Sequence, residues 1–341
     1  MRIVFSFLFG LAVCVPAVSA QIPDDARLAE QWGLSMIHAP EAWATTTGEG
    51  VVVGVLDTGI DWRHEDLVPN VWQNLAEDAD HDGHTLEFID GQWQFDPGDL
   101  NGIDDDDFDG DPATFVDDLI GWDFADNDND PMDQKGHGTH VSGIIAAAGN
   151  NGLGGAGVAY SARIMMLRTN TLLSVTAALV YARQHGVRLT NNSYGGLSFS
   201  GNTMRKAIAA AARGGMLFVA GAGNNGQSSD ERPFFPADFD LPSILSVTAS
   251  GTADSLISLS NFGPVSVDLA APGEDILSTA LGGGYATSSG TSMSTAFATG
   301  VAALVWSVRP DLTALEVKDI LLTTVDLPTG LAGTSTTGGV A

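Results

Sequence analysis

The chain is nearly devoid of cysteine and poor in lysine. Its 341 residues include one cysteine, Cys14, within an apolar leader. The mature chain would therefore hold no thiol and no disulfide, and its stability must come from packing or from bound ions. Lysine occurs only as Lys135, Lys206 and Lys318, and Lys plus Arg total 14 against 42 Asp plus Glu, a net charge of −28. This balance excludes nucleic acid as a partner, because neutralising phosphates requires clustered basic side chains. Beyond the leader, no apolar run approaches the roughly 20 residues of a membrane span, so no membrane association is expected once the leader is removed.

What is present begins with that leader. Met1 to Ala20 combine an early Arg2, a Phe/Leu/Val-rich stretch and Val18-Ser19-Ala20 before Gln21, the layout of a secretory signal peptide cleaved after Ala20. A secreted, extracellular or periplasmic location follows. A lipoprotein signal at Leu11-Ala12-Val13-Cys14 is disfavoured because the residue before the cysteine is not small. The 44% hydrophobic content of the chain allows a sizeable core.

Apolar β-forming runs alternate with helical periodicity. Strands are expected at 51–57, 163–168, 188–193, 216–221, 243–249 and 266–270, and helices at 137–148, 174–185, 202–213, 292–307 and 313–323. Thr313 with Glu316 three residues on forms a capping box for the last helix. The alternation predicts an α/β fold with a doubly wound, mainly parallel sheet flanked by helices. Ligand chemistry in such sheets gathers at the carboxyl ends of strands, where Asp57, Ser193 and Asn224 fall.

Three strings carry the chemistry: Val55-Leu56-Asp57-Thr58-Gly59, Gly136-His137-Gly138-Thr139-His140 and Gly290-Thr291-Ser292-Met293-Ser294. Asp57 closes a strand run, while His137 and Ser292 each open a helical pattern. A serine hydroxyl is a weak nucleophile near neutral pH, so acyl transfer needs an imidazole to take its proton and a carboxylate to orient that imidazole. The order Asp, His, Ser matches subtilisin and not chymotrypsin or the α/β-hydrolases. With Ala220-Gly221-Ala222-Gly223-Asn224-Asn225-Gly226, Asn192-Ser193-Tyr194-Gly195-Gly196 and Ala271-Pro272-Gly273, these strings make the chain resemble the subtilisin-like serine proteases, the subtilase family, from about Trp32 to Leu322.

The resemblance implies a serine endopeptidase in which Asp57, His137 and Ser292 are catalytic and Asn224 serves the oxyanion. Ser193, Tyr194 and Gly195 would bind the substrate as an edge strand. Phe234 would stand at the floor of the pocket for the residue before the scissile bond, where many relatives have a much smaller side chain, and would either shorten that pocket or turn into the core. The partners would be protein or peptide substrates, and the enzyme a monomer. A calcium-binding exported protein that keeps this scaffold without activity is the rival reading.

Between 74 and 133 the texture becomes rich in Asp, Gly and Asn, an acidic insertion within one catalytic domain spanning 21–341. Asp78-x-Asp80-x-Asp82-Gly83 and Asp105-x-Asp107-x-Asp109-Gly110 match the start of an EF-hand-type calcium loop. The acid expected at its twelfth position comes one residue late, as Asp90 and Asp117. The resemblance implies a further structural calcium at Asp24, Asp66 and Asn151.

The other residues are read more plainly. His140 is expected to pack within its helix, and His64, His81, His84 and His185 to lie at the surface or in turns. A zinc site at His81 and His84 lacks a third placed ligand. Gly152-Leu153-Gly154-Gly155-Ala156-Gly157 fits a dinucleotide fingerprint but follows a helix, with no acid about 20 residues on, and is rejected. The chain departs from the family pattern at Ala296, where proline is usual, in the absence of room for a pro-domain between Ala20 and Trp32, and in Thr337-Gly338-Gly339-Val340-Ala341, which looks like the beginning of a family C-terminal segment that stops early.

Overall fold

The computed structural model describes residues 22–106 and 114–341. The proposed leader with Cys14, and the candidate ligands Asp107 and Asp109, lie outside the described residues. In chain order the elements are α1 (Trp32–Met36), α2 (Ala39–Ala42), β1 (Val52–Asp57), β2 (Leu86–Ile89), β3 (Gln92–Phe95), β4 (Gly121–Asp123), α3 (His137–Ala146), β5 (Arg163–Arg168), α4 (Leu172–Gln184) and β6 (Leu189–Asn192). They continue with α5 (Asn202–Arg213), β7 (Leu217–Gly221), β8 (Ile244–Ser250), β9 (Leu269–Pro272), β10 (Ile276–Thr279), β11 (Tyr285–Ser288), α6 (Thr291–Val308) and α7 (Ala314–Thr323).

A seven-stranded sheet, ordered β4-β5-β1-β6-β7-β8-β9, forms the centre, and every pairing in it is parallel. Both faces are covered, so its strands read as apolar runs whose residues alternate between two cores. Val53 and Val55, Ile164 and Met166, and Leu217 and Val219 enter the core that holds α3 and α6. Leu56, Met165, Leu167, Phe218 and Ala220 enter the core that holds α4 and α5. Among the described residues, α6 is the one helix long and apolar enough to cross a membrane. Some 72% of that stretch is buried in the fold, as befits a core helix.

The expected strands form six of the seven in this sheet, all but the edge strand β4. The last begins at Leu269 rather than at 266, because Val267 N turns back to Gly263 O (3.0 Å). The insertion contributes more than loops. It supplies β4 at the sheet edge, the antiparallel β2–β3 pair, and Leu86, Leu119 and Ile120 to the larger core. Asp90 and Gly91, both at positive φ (52° and 83°), make the two-residue turn typical of a hairpin. The capping boxes at Thr313/Glu316 and Thr171/Ser174 are both formed.

Candidate active site

Four elements deliver the candidate catalytic side chains to the carboxyl end of the sheet's inner strands. Asp57 is the last residue of β1, His137 the first of α3, Ser292 the second of α6, and Asn224 follows the end of β7. Asp57 Oδ1 accepts from Thr58 N at 2.7 Å and lies 2.7 Å from His137 Nδ1, a contact between residues 80 positions apart. Burial works against a charged His137. The Asp57 carboxylate, and more weakly Asp133, nevertheless hold the imidazole above its ordinary range.

Asp133 is a residue that the motif reading missed. Its Oδ1 accepts from Thr58 Oγ1 (2.8 Å), Lys135 N (2.8 Å) and Gly136 N (2.9 Å), and its Oδ2 from Thr139 N (2.9 Å) and Thr139 Oγ1 (2.7 Å). Thr58 Oγ1 in turn accepts from Gly138 N (3.0 Å). Two of the orphan amides that open α3 are thus satisfied from outside the helix, and the same bonds tie the residue after Asp57 to the helix that carries His137. Burial would raise Asp133, but the amides of Lys135, Thr139 and Gly136 and the Thr139 hydroxyl hold it below the usual carboxylate range. An Asp four residues before the His helix was the available signal.

Ser292 and Ser193 are joined reciprocally. Ser193 Oγ donates to the Ser292 carbonyl (2.9 Å), and Ser292 Oγ donates to the Ser193 carbonyl (3.3 Å). No hydrogen bond joins Ser292 to His137 among the described residues. Where the family pattern has proline, Ala296 is fully buried, and the start of α6 is braced by Thr295 Oγ1 on Thr291 O (2.6 Å) and Thr299 Oγ1 on Thr295 O (2.8 Å). Asn224 Oδ1 accepts from Thr291 N (2.9 Å) and Thr291 Oγ1 (3.1 Å), which fixes the carboxamide and leaves its NH2 group as the donor. Asn261 secures the same loop, donating to Ala222 O (2.8 Å) and accepting from Asn225 N (2.9 Å).

The segment 193–196 leaves the sheet after β6. Tyr194 Oη donates to Asn192 Oδ1 (2.8 Å) and packs against Phe199, with ring centroids 5.1 Å apart. Gly196 N donates to Phe235 O (2.7 Å). A Cβ built on Gly195 would lie 2.2 Å from Phe234 Cε1, and one on Gly223 2.7 Å from Phe234 Cδ2. The half-buried Phe234 ring therefore fills the slot between these two glycines. Asp238 accepts from Phe234 N, and burial pushes the Asp238 carboxyl up to about 6.

The candidate metal ligands fall into three groups. Asp78, Asp80 and Asp82 each offer an oxygen, all within 4.8 Å of one another, and so fit a hard cation. Asp90 is carried to the far end of the β2–β3 hairpin, so the carboxylates that return to this loop are Asp96 and Asp99. Asp99 accepts from Ala79 N (2.8 Å). Asp105 Oδ2 and Asp117 Oδ1 meet through Asn101, which donates Nδ2 to the first (2.6 Å) and its backbone N to the second (3.1 Å). Near them sequence reasoning missed Glu77, Asp104 and Asp106, which also converge within 4.8 Å. Burial pushes Glu77 up to about 7 and Asp118 up to about 8, with Asp106 adding repulsion in each case. In the third group, Asn151 Nδ2 donates to Asp66 Oδ1 (2.6 Å), Tyr285 Oη to Asp66 Oδ2 (2.9 Å), and Gly152 N to Asp24 Oδ1 (3.2 Å).

Two histidines lie in turns, as one half of their reading expected, but with side chains buried rather than at the surface. His64 is 2% exposed, accepts from Asp66 N at Nδ1 (3.1 Å) and donates Nε2–H to Gly284 O (2.8 Å). The His185 side chain, 4% exposed, faces Asp106 Oδ2 at 3.1 Å. His140 packs inside α3 as expected, with Nε2 3.1 Å from both Ile276 O and Ala286 O.

A sequence profile described as the subtilase family matches residues 48–339. A thermophilic serine proteinase of Bacillus sp. (strain AK1) is 34% identical over 307 residues, covering 88% of this chain and 63% of its own length. Thermitase of Thermoactinomyces vulgaris is 32% identical over 283 residues, covering 81% of this chain and 82% of its own length. The solved structure of a protease from Pseudoalteromonas arctica superposes with a TM-score of 0.70 at 28% identity, covering 94% of this chain and 97% of its own. The chain thus spans less than two thirds of the Bacillus relative and most of the other two.

Proposed function

The chain belongs to the subtilase family, and from that premise we propose that it is a secreted serine endopeptidase, hydrolysing peptide bonds through an acyl-enzyme. The observation that carries this reading is the 2.7 Å contact between His137 Nδ1 and Asp57 Oδ1 at the mouth of the sheet, with Ser292 at the adjoining helix start. Ser292 Oγ attacks the scissile carbonyl, and His137 takes its proton and later returns it to the leaving amine. Asp57 holds the imidazole in the right tautomer. The Ser292 backbone N–H, at the positive end of α6, and the Asn224 amide stabilise the oxyanion. The hydroxyl first has to leave the Ser193 carbonyl, and such hydrogen bonds are commonly loose before substrate arrives.

Substrate lies along 193–195 and is held by main-chain bonds that tolerate many sequences. The Phe234 ring between Gly195 and Gly223 shortens the pocket for the residue before the cleaved bond and favours small or medium apolar side chains. Phe234→Gly should shift a peptide-library profile toward Phe and Tyr; an unchanged profile would place the specificity elsewhere. Calcium would be held at Asp78, Asp80 and Asp82, at Asp24, Asp66 and Asn151, and by Asp105 and Asp117 with Asp107 and Asp109, stabilising a folded chain that lacks disulfides. One monomeric catalytic domain, 21–341 with its 74–133 insertion, is exported by the leader.

A fluorophosphonate separates this enzyme from an inactive calcium-binding scaffold. Labelling that maps to Ser292 and disappears in Ser292→Ala is expected, whereas a wild-type chain that stays unlabelled at neutral pH would support the inactive scaffold.

A further inference from the structure

The sequence offers His84 in the acidic loop without a third metal ligand near it, and the fold supplies one. β2 and β3 pair with Leu86 opposite Phe95, which brings the residues just outside that pair, His84 on one side and Asp96 on the other, to the open end of the hairpin. His84 Nδ1 lies 3.1 Å from Asp82 Oδ1 and 3.2 Å from Asp96 Oδ2. That nitrogen is closed off from solvent, yet it makes no hydrogen bond with acceptable geometry to either carboxylate. A single imidazole nitrogen carries one proton or one lone pair, and one N–H cannot serve two carboxylates at once with well-aligned hydrogen bonds.

A metal ion can. Zinc binds imidazole nitrogen and carboxylate oxygen at about 2.0–2.2 Å, so two ligands at right angles stand about 3.0 Å apart and two at the tetrahedral angle about 3.4 Å. The observed separations fall between these values. Both carboxylates are also held from behind, since Asp82 Oδ1 accepts from His84 N (3.1 Å) and Asp96 Oδ1 from Gly98 N (2.7 Å). Such outer bonds orient ligands before the ion arrives. Asp96 is buried, while Asp82 and His84 are about two-fifths exposed, which provides an entry path. Imidazole suits zinc and neighbouring transition ions, whereas calcium prefers an all-oxygen set.

We propose that Asp82, His84 and Asp96 form a binding site for a divalent transition ion of the zinc type, separate from the catalytic centre, that clips the 78–84 loop to the end of β3. Asp82 belongs both to this group and to the Asp78–Asp80 set. The site stands independently of the protease reading.

The test is calorimetric titration of the full chain, stripped with chelator and then saturated with calcium, using zinc chloride as the probe. The wild type should bind one equivalent of zinc that is lost in both His84→Gln and Asp96→Asn. It should persist in His81→Gln, because the exposed His81 turns its Nδ1 to Asp78 O (2.8 Å) within its own loop. Ring-proton resonances of His84 should shift with the same stoichiometry, a reading that does not depend on the variants folding. Absence of zinc binding in the wild type, retention of the equivalent in either variant, or an unmoved His84 signal would overturn the proposal.

Discussion

The floor of the candidate active site, where the acidic insertion ends at Asp133, and the body of that insertion handle buried carboxylates in opposite ways. At the floor, Asp133 is buried but surrounded by five donors, which keep its carboxyl below the usual range. In the insertion, Glu77 and Asp118 are equally buried, yet they sit among other acids and are pushed up to about 7 and about 8. Hydrogen bonds from amides and hydroxyls favour the ionised form, whereas burial and neighbouring negative charge oppose it. One region therefore holds its charge with the chain's own donors. The other calls for protons or cations from outside.

The sharpest way to separate the two regions is to damage each and look for the effect in the other. Ser292→Ala should reduce peptide hydrolysis by about 10⁶-fold, the size of the loss in subtilisin itself, while the thermal midpoint at fixed calcium stays where it was. Activity that survived in the purified variant would refute the assigned nucleophile. Asn224→Ala should lower kcat by about 10²–10³-fold, again the subtilisin magnitude, with little change in KM, because the bond forms mainly in the transition state. A loss confined to KM would count against an oxyanion role.

Damage to the insertion should register as stability. Chelation should lower the thermal midpoint, and added calcium should restore it, since the carboxylates converge only in the folded chain. A melting temperature that is flat from micromolar to millimolar calcium would remove the ion from the account.

The metal-free chain should also respond to pH with a definite sign. Glu77 and Asp118 keep their protons in the folded state up to about 7 and about 8, whereas unfolded carboxyls release theirs near pH 4, roughly. The folded chain binds more protons across this window, so stability should fall as pH rises from about 4 to about 8. A urea midpoint that climbs through the same window would show that other groups dominate.

The smallest effect belongs to the floor. His137 sits above its ordinary value and must be neutral to act as a base, so kcat/KM should fall on acidification with a midpoint above that of a free histidine. Asp133→Asn, read in protein that keeps the wild-type melting temperature, should move this limb to lower pH. An unmoved limb would reduce Asp133 to scaffolding.

Much of the fold was legible because its signals are local. Parallel strands buried on both faces announce themselves as apolar runs, and the Thr313/Glu316 box marks a helix start within four residues. β4 was not legible, since Gly121–Asp123 is too short to show a period. The β2–β3 hairpin was missed although Asp90-Gly91 is a strong turn signal, because the surrounding acids suggested a calcium loop running straight on to Asp90. The burial of His64, which does lie in a turn, was not legible for a related reason. Its two partners, Asp66 N and Gly284 O, include one that lies 220 residues away.

By itself the sequence determined the alternation of strands and helices, the strings that carry Asp57, His137, Asn224 and Ser292, and the excess of acid over base, all properties of neighbouring residues or of composition. Tertiary structure alone decided which acids meet. It replaced Asp90 by Asp96 and Asp99 beside the 78–82 loop, put Asp96 against His84, set Asp133 beneath the His137 helix, and wedged Phe234 between Gly195 and Gly223. The reason is physical: a carboxylate's charge, an imidazole's partner and a pocket's depth depend on distances of a few ångströms between segments that are far apart along the chain.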